Sequence, residues 1–138
     1  KLNVWRDVIF DEYHFSLTKG SPEKVDVPMV RVQTQSVLQD TLGIDEIGKK
    51  WSIRKSLQKI ADEGTGVFVL INHRDAKTYW LSSLKDENIE PKRNRRVIGI
   101  GSQILRSLGL SRINVLGTPT KYSGLSGFNI EIEGFIDE

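Results

Sequence analysis

Cysteine is missing from all 138 residues. That removes disulfides, thiolate nucleophiles and cysteine-built zinc sites together. Histidine is scarce: His14 and His73 are the only two, so a histidine-based metal centre would need carboxylates beside them. No apolar run reaches the roughly 18–20 residues of a membrane-spanning helix, so no membrane partner is expected. The opening residues lack a signal-peptide pattern, which predicts a cytoplasmic protein. Charge of one sign is lacking too. With 20 Lys and Arg against 18 Asp and Glu, the net charge is +2, too small for the field of a nucleic-acid-binding domain. The length suits a single domain, residues 1–138. The chain opens at Lys1 in strand-like sequence, as expected of a part of a longer protein.

What is present is alternation and short apolar runs. Residues 4–10 (VWRDVIF) and 13–19 (YHFSLTK) read as the strands of a hairpin that turns at Asp11 and Glu12. In the second, Tyr13, Phe15 and Leu17 alternate with His14, Ser16 and Thr18, so the apolar set is expected inward and His14 on the polar side. Residues 29–34 (MVRVQT) form a third strand. A short helix follows, capped by Ser36 and stopped by Gly43. Residues 50–62 give the clearest helix, with Ile53, Leu57, Ile60 and Ala61 on one face and Gly64 ending it. VFVLI (67–71) suits a buried central strand. Ser102–Leu108 is a helix, and INVL (113–116) and FNIEIEGFI (128–136) are strands. The fold class is α/β (α+β): a mixed sheet with N-terminal antiparallel strands and flanking helices.

Chemistry has few places to sit. Gly99 and Gly101 suggest a dinucleotide loop, but the third glycine of that fingerprint is absent. They make either an anion cradle or a tight turn into the next helix. Lys92, Arg93, Arg95 and Arg96 lie beside them. Those cations either grip a phosphate or form a solvated loop. No aromatic residue interleaves them for base stacking, so nucleic acid is not expected as a partner. His73 follows the VFVLI strand, a favoured site position in α/β folds, and is otherwise an exposed loop histidine. Thr118–Lys121 follows another strand and could touch a phosphate or simply start a helix. Gln33, Thr34, Gln35, Ser36 and Asp40 offer hydrogen bonds, with Asp40 the one candidate base.

In order, these pieces resemble the GTP cyclohydrolase II family. VRVQTQSVLQDTLG (30–43) is similar to its V-R-V-H-S-E-C-x-T-G-D-x-x-G segment, and LQKIADEGTGVFVLI (57–71) to its L-x-x-I-x-x-E-G-x-G-V stretch. RNRRVIGIGSQILRSLGLSRINVL (93–116) resembles D-x-R-x-Y-x-x-G-A-Q-I-L-x-x-L-G-V, and TPTKYSGLSGFNIEI (118–132) resembles N-P-x-K-x-x-x-L-x-x-x-G. The likeness spans nearly the whole chain except residues 72–92, and it identifies the glycines with the family's turn into the Q-I-L helix.

The resemblance implies a zinc ion held by three cysteines, which activates water to open the purine ring of GTP. At the matching positions stand Ser36, Ile47 and Lys49. The family's phosphate-gripping R-Q-E-G-R-G-I-G-L element is replaced by residues 72–79, from Asn72 to Tyr79. Its catalytic arginine matches Arg96, its aspartate becomes Asn94, its tyrosine Ile98, and its N-P-x-K lysine matches Lys121. The expectation is a degenerate domain that binds no zinc, with Arg96 and Lys121 as remnant phosphate-binding candidates. By the same resemblance, it would sit C-terminal to a 3,4-dihydroxy-2-butanone 4-phosphate synthase half, the only part expected to need Mg, in a homodimer. Three functions stay open: a support domain for that synthase, a nucleotide- or phosphate-binding module, and a cyclohydrolase rebuilt around His73 and Asp75.

Overall fold

The computed structural model describes residues 1–44, 51–72, 95–119 and 129–137. Among them, six strands form one sheet in the order β1-β2-β4-β3-β5-β6. These are β1 (Leu2–Asp7), β2 (Glu12–Lys19), β3 (Met29–Thr34), β4 (Gly66–Ile71), β5 (Arg112–Leu116) and β6 (Glu131–Ile136). The β1-β2-β4 half is antiparallel. The β4-β3-β5-β6 half is parallel. The sheet is therefore mixed with antiparallel N-terminal strands, as the sequence predicts.

Two α-helices among the described residues cover it. Helix α1 (Ile53–Glu63) starts where the Ser52 hydroxyl accepts the Lys55 N–H, and ends at Gly64 with φ 84°. Only a residue without Cβ adopts that left-handed turn freely. Ile53, Leu57 and Ile60 pack with Trp51, Phe68, Met29 and Leu116 on one face of the sheet. Ser56, not Ala61, takes the remaining inward position, its hydroxyl bonded to the Ser52 carbonyl. Helix α2 (Arg95–Ser107) lies in the other core, where Ile104, Leu105, Val97 and Ile100 meet Val30, Val67, Val69 and Ile71.

Three expectations need correction. Helix α2 begins at Arg95 rather than at Ser102, so Gly99 and Gly101 are helical and form no turn. A Cβ on Gly101 would stand 2.9 Å from Val32 Cγ1, so glycine permits a close approach of helix to sheet. Strand β1 ends at Asp7, and Val8–Phe10 form the hairpin turn. There the Asp7 carboxylate accepts the N–H groups of Ile9 and Phe10, the local bonding that favours turns over strands. Finally, the two faces of β2 are reversed. His14 and Ser16 are buried, while Tyr13 and Leu17 are exposed. The Trp5 indole donates to Ser16 Oγ at 2.8 Å and covers that polar face from β1.

Candidate functional site

Parallel strands β3 and β4 end at the same edge of the sheet, with Thr34 opposite Ile71. Antiparallel β2 starts there and β1 ends there. The carboxyl ends of parallel strands are where α/β proteins bind ligands. The structure gathers a polar cluster at this edge; of its members the sequence marked Arg96 as a candidate, through the resemblance, and placed His14 only on the polar side of its strand.

Its centre is the Arg96 guanidinium. It donates to Glu12, lies 3.9 Å from Asp7 Oδ2 and stacks 3.4 Å above the Phe10 ring. Glu12 and His14 are buried, at 6% and 1% exposure. His14 Nδ1 accepts the Asn72 N–H at 3.0 Å. Acceptance at Nδ1 puts the proton of the neutral ring on Nε2, the atom 4.0 Å from Glu12 Oε2. Ligand atoms of Asp7, Glu12 and His14 lie within 4.8 Å of one another. Two carboxylates and an imidazole suit a divalent cation in kind. Arg96 already brings positive charge to both carboxylates, so an ion would have to displace it.

Ser36, the position of a family zinc cysteine, has another role. Its hydroxyl accepts the Gln39 N–H and caps the π-helical turn Val37–Thr41. Asp40 accepts the Ser36 N–H at 2.8 Å through one oxygen and the Ile53 N–H at 3.1 Å through the other. Both oxygens of the one candidate base thus join the turn to the start of α1. Gln33 Oε1 accepts from the buried Arg31. Ile98 lies on α2, half-buried. Ile47, Lys49, His73, Asp75, Asn94 and Lys121 lie outside the described residues.

Sequence reasoning missed Asp7, Phe10 and Glu12. Glu12 is 84 positions from Arg96, and no local pattern joins them. The available signal was the uneven hairpin: an acid on each side of an apolar turn, with a histidine two residues on.

The GTP cyclohydrolase II family model matches residues 1–137. The chain belongs to that family. It is 29% identical over 98% of its length to a 3,4-dihydroxy-2-butanone 4-phosphate synthase of Pseudomonas aeruginosa, covering 38% of that protein. It is 31% identical over 96% of its length to a protein of the same name from Neisseria meningitidis, covering 37%. A riboflavin biosynthesis protein RibBA of Cytophaga hutchinsonii is 30% identical over 95% of the chain, which covers 36% of it. The chain thus spans under two-fifths of the curated relatives it matches, and its family is one of riboflavin biosynthesis. Among the described residues, no helix is long and apolar enough to cross a membrane.

Proposed function

We propose that this domain no longer opens the purine ring of GTP and instead serves as the dimerisation and support half of a 3,4-dihydroxy-2-butanone 4-phosphate synthase in the cytoplasm. The observation that carries this reading is the engagement of Arg96. The side chain at the family's catalytic arginine position is held by Glu12 and Phe10 of the hairpin. Glu12 and Phe10 thus hold the guanidinium that a substrate phosphate would need. Chemistry at the zinc positions points the same way. The serine hydroxyl at position 36 is a weak ligand at neutral pH and already caps a turn, Ile47 has no donor atom, and the Lys49 ammonium repels a cation. Without metal there is no activated water for ring opening, so neither Arg96 nor Lys121 is assigned a catalytic step. Mg is expected only in the synthase half.

The test is calorimetric titration of GTP into the protein with Mg and Zn present. No saturable heat is expected. Heat that continues after each injection means turnover and overturns the reading.

One observation favours a second reading, a phosphate-sensing module. Arg96 sits in the first turn of α2, where the helix dipole favours an anion. In this reading Arg96 and Lys121 contact a nucleotide phosphate. Saturable heat that weakens with salt and in Lys121→Ala supports it. Unchanged affinity in Lys121→Ala removes that residue from the site.

A further inference from the structure

Strand β2 holds the chain at two points that the sequence keeps far apart. The chain leaves β4 after Ile71 and enters α2 at Arg95. Beside the first point, His14 Nδ1 accepts the Asn72 N–H at 3.0 Å. Beside the second, Glu12 accepts from Arg96. The β2–β4 ladder ends at Phe15 and Leu70. Asn72 lies beyond it and is tied to β2 by an imidazole instead of a backbone carbonyl.

That acceptor has a chemical consequence. A carbonyl accepts at every pH, but an imidazole accepts only while neutral, because the charged ring carries N–H on both nitrogens. A proton on Nδ1 sets two donors against each other, and the bond to Asn72 must break. With its proton on Nε2, the neutral ring also has no lone pair there for a metal ion, so Asp7, Glu12 and His14 form a charge network and not a set of metal ligands. Among the described residues, three charged groups face the ring. Glu12, on its own strand, has Oε2 4.0 Å from Nε2. Asp7, at the end of β1, lies within 4.8 Å. Arg96, on α2, meets both carboxylates. From β4 come only apolar Ile71 and the Asn72 amide. Trp5, opposite His14 on β1, gives its N–H to Ser16. Two carboxylates thus face one guanidinium, and a proton on His14 supplies a second positive charge. The ring is 1% exposed, so water screens little of that attraction.

We propose that His14 is a proton-operated clasp at the exit of β4. The neutral ring holds Asn72 against β2. The charged ring releases it and turns to Glu12, where it competes with Arg96. Side chains two positions apart on one strand therefore hold both ends of the β4–α2 connection, and one proton acts on both. The hold is complete above the titration midpoint of the ring and is lost as pH falls through it. An ordinary imidazole has that midpoint at about pH 6.5.

The experiment is NMR on the whole chain from about pH 8 to about pH 5. It reads the His14 ring protons and the exchange of the Asn72 amide, corrected for the intrinsic pH dependence of exchange. We expect Asn72 protection to fall at least tenfold with the midpoint of the ring. The Ser16 and Val69 amides, on interior strands of the sheet, should keep theirs, and the Arg96 guanidinium resonance should shift at the same midpoint. His14→Phe keeps a ring but removes the acceptor, and should lose Asn72 protection at every pH. Should that variant not fold, the titration of the unmodified chain decides alone. A ring that stays neutral to the lowest pH overturns the proposal. So does Asn72 protection that stays constant while the ring charges, or that falls only together with that of Ser16 and Val69.

Discussion

Arg31 and Arg96 are both held inside the molecule, by different kinds of partner. Arg31 lies on β3, 8% exposed, and donates to the Gln33 side chain and to the carbonyls of Leu116 and Trp51. Those groups belong to β3, to the end of β5 and to the approach to α1, so one guanidinium joins the sheet to its helical cover. Arg96 sits at the rim, its side chain 22% exposed, against carboxylates and an aromatic face. It joins the β1–β2 hairpin to the start of α2. Neutral dipoles can hold an arginine where no ligand reaches. Carboxylates at a strand end hold it at the rim, where part of the side chain still meets solvent.

Removing Arg31 is the strongest way to break this comparison. Arg31→Met leaves buried carbonyls without a donor, at about 1–3 kcal/mol for each such group. We expect the largest loss of denaturant stability of any change described, with a lower midpoint and unchanged m-value. A variant as stable as the parent would mean that water replaces the guanidinium.

Arg96→Met should cost less, about 2 kcal/mol, because it removes a charge-assisted hydrogen bond and a stacked cation but leaves the hairpin turn capped by Asp7. Glu12→Gln keeps the shape and should cost about 1 kcal/mol. A double-mutant cycle between positions 96 and 12 should show coupling near 1 kcal/mol. Additive effects would show that Arg96 is not held by Glu12 in solution, and would return it to the pool of phosphate contacts.

The smallest effect belongs to a third arginine, at the surface. Arg112 bonds to Glu133 across β5 and β6 and to Asp26. The hydrogen bond from Arg112 holds the Glu133 carboxyl below its ordinary value, against a smaller opposing effect of burial. A carboxyl depressed in the folded state adds stability above its unfolded pKa and loses it as pH falls through the folded value. The pair is solvent-exposed, so salt should screen much of it. An NMR titration should show the Glu133 midpoint rising in Arg112→Ala, and no rise would place the cause elsewhere.

The same contrast explains what could be read from sequence. β3, β4 and β5 were legible because short apolar runs bounded by glycine and polar residues have few other uses. Helix α1 was legible from its period and from Gly64. The alternation of β2 was legible but its sidedness was not. Period two defines two faces; which one is inward depends on Trp5 and on the core around α2, neither local to β2. The early start of α2 was hidden because Gly99 and Gly101 each disfavour a helix by about 1 kcal/mol, while the contact with Val32 that requires Gly101 lies 69 positions back along the chain. In the site, the resemblance marked Arg96 and Ser36; Ser36's capping role was legible as a serine opening a short helix, whereas Arg96's partners had no sequence signal. The matches at Ile47, Lys49 and Lys121 fall outside the described residues.

The contact between Gly101 and Val32 also works as a fulcrum. Arg96 lies five residues before Gly101 on the same rigid helix, about 7 Å along its axis. A side chain at position 101 would meet Val32 Cγ1 at 2.9 Å, so either that side chain or α2 has to shift, and where the helix gives, the guanidinium at its end moves with it. Gly101→Ala is thus a way to loosen the grip of Glu12 on Arg96 without altering either residue.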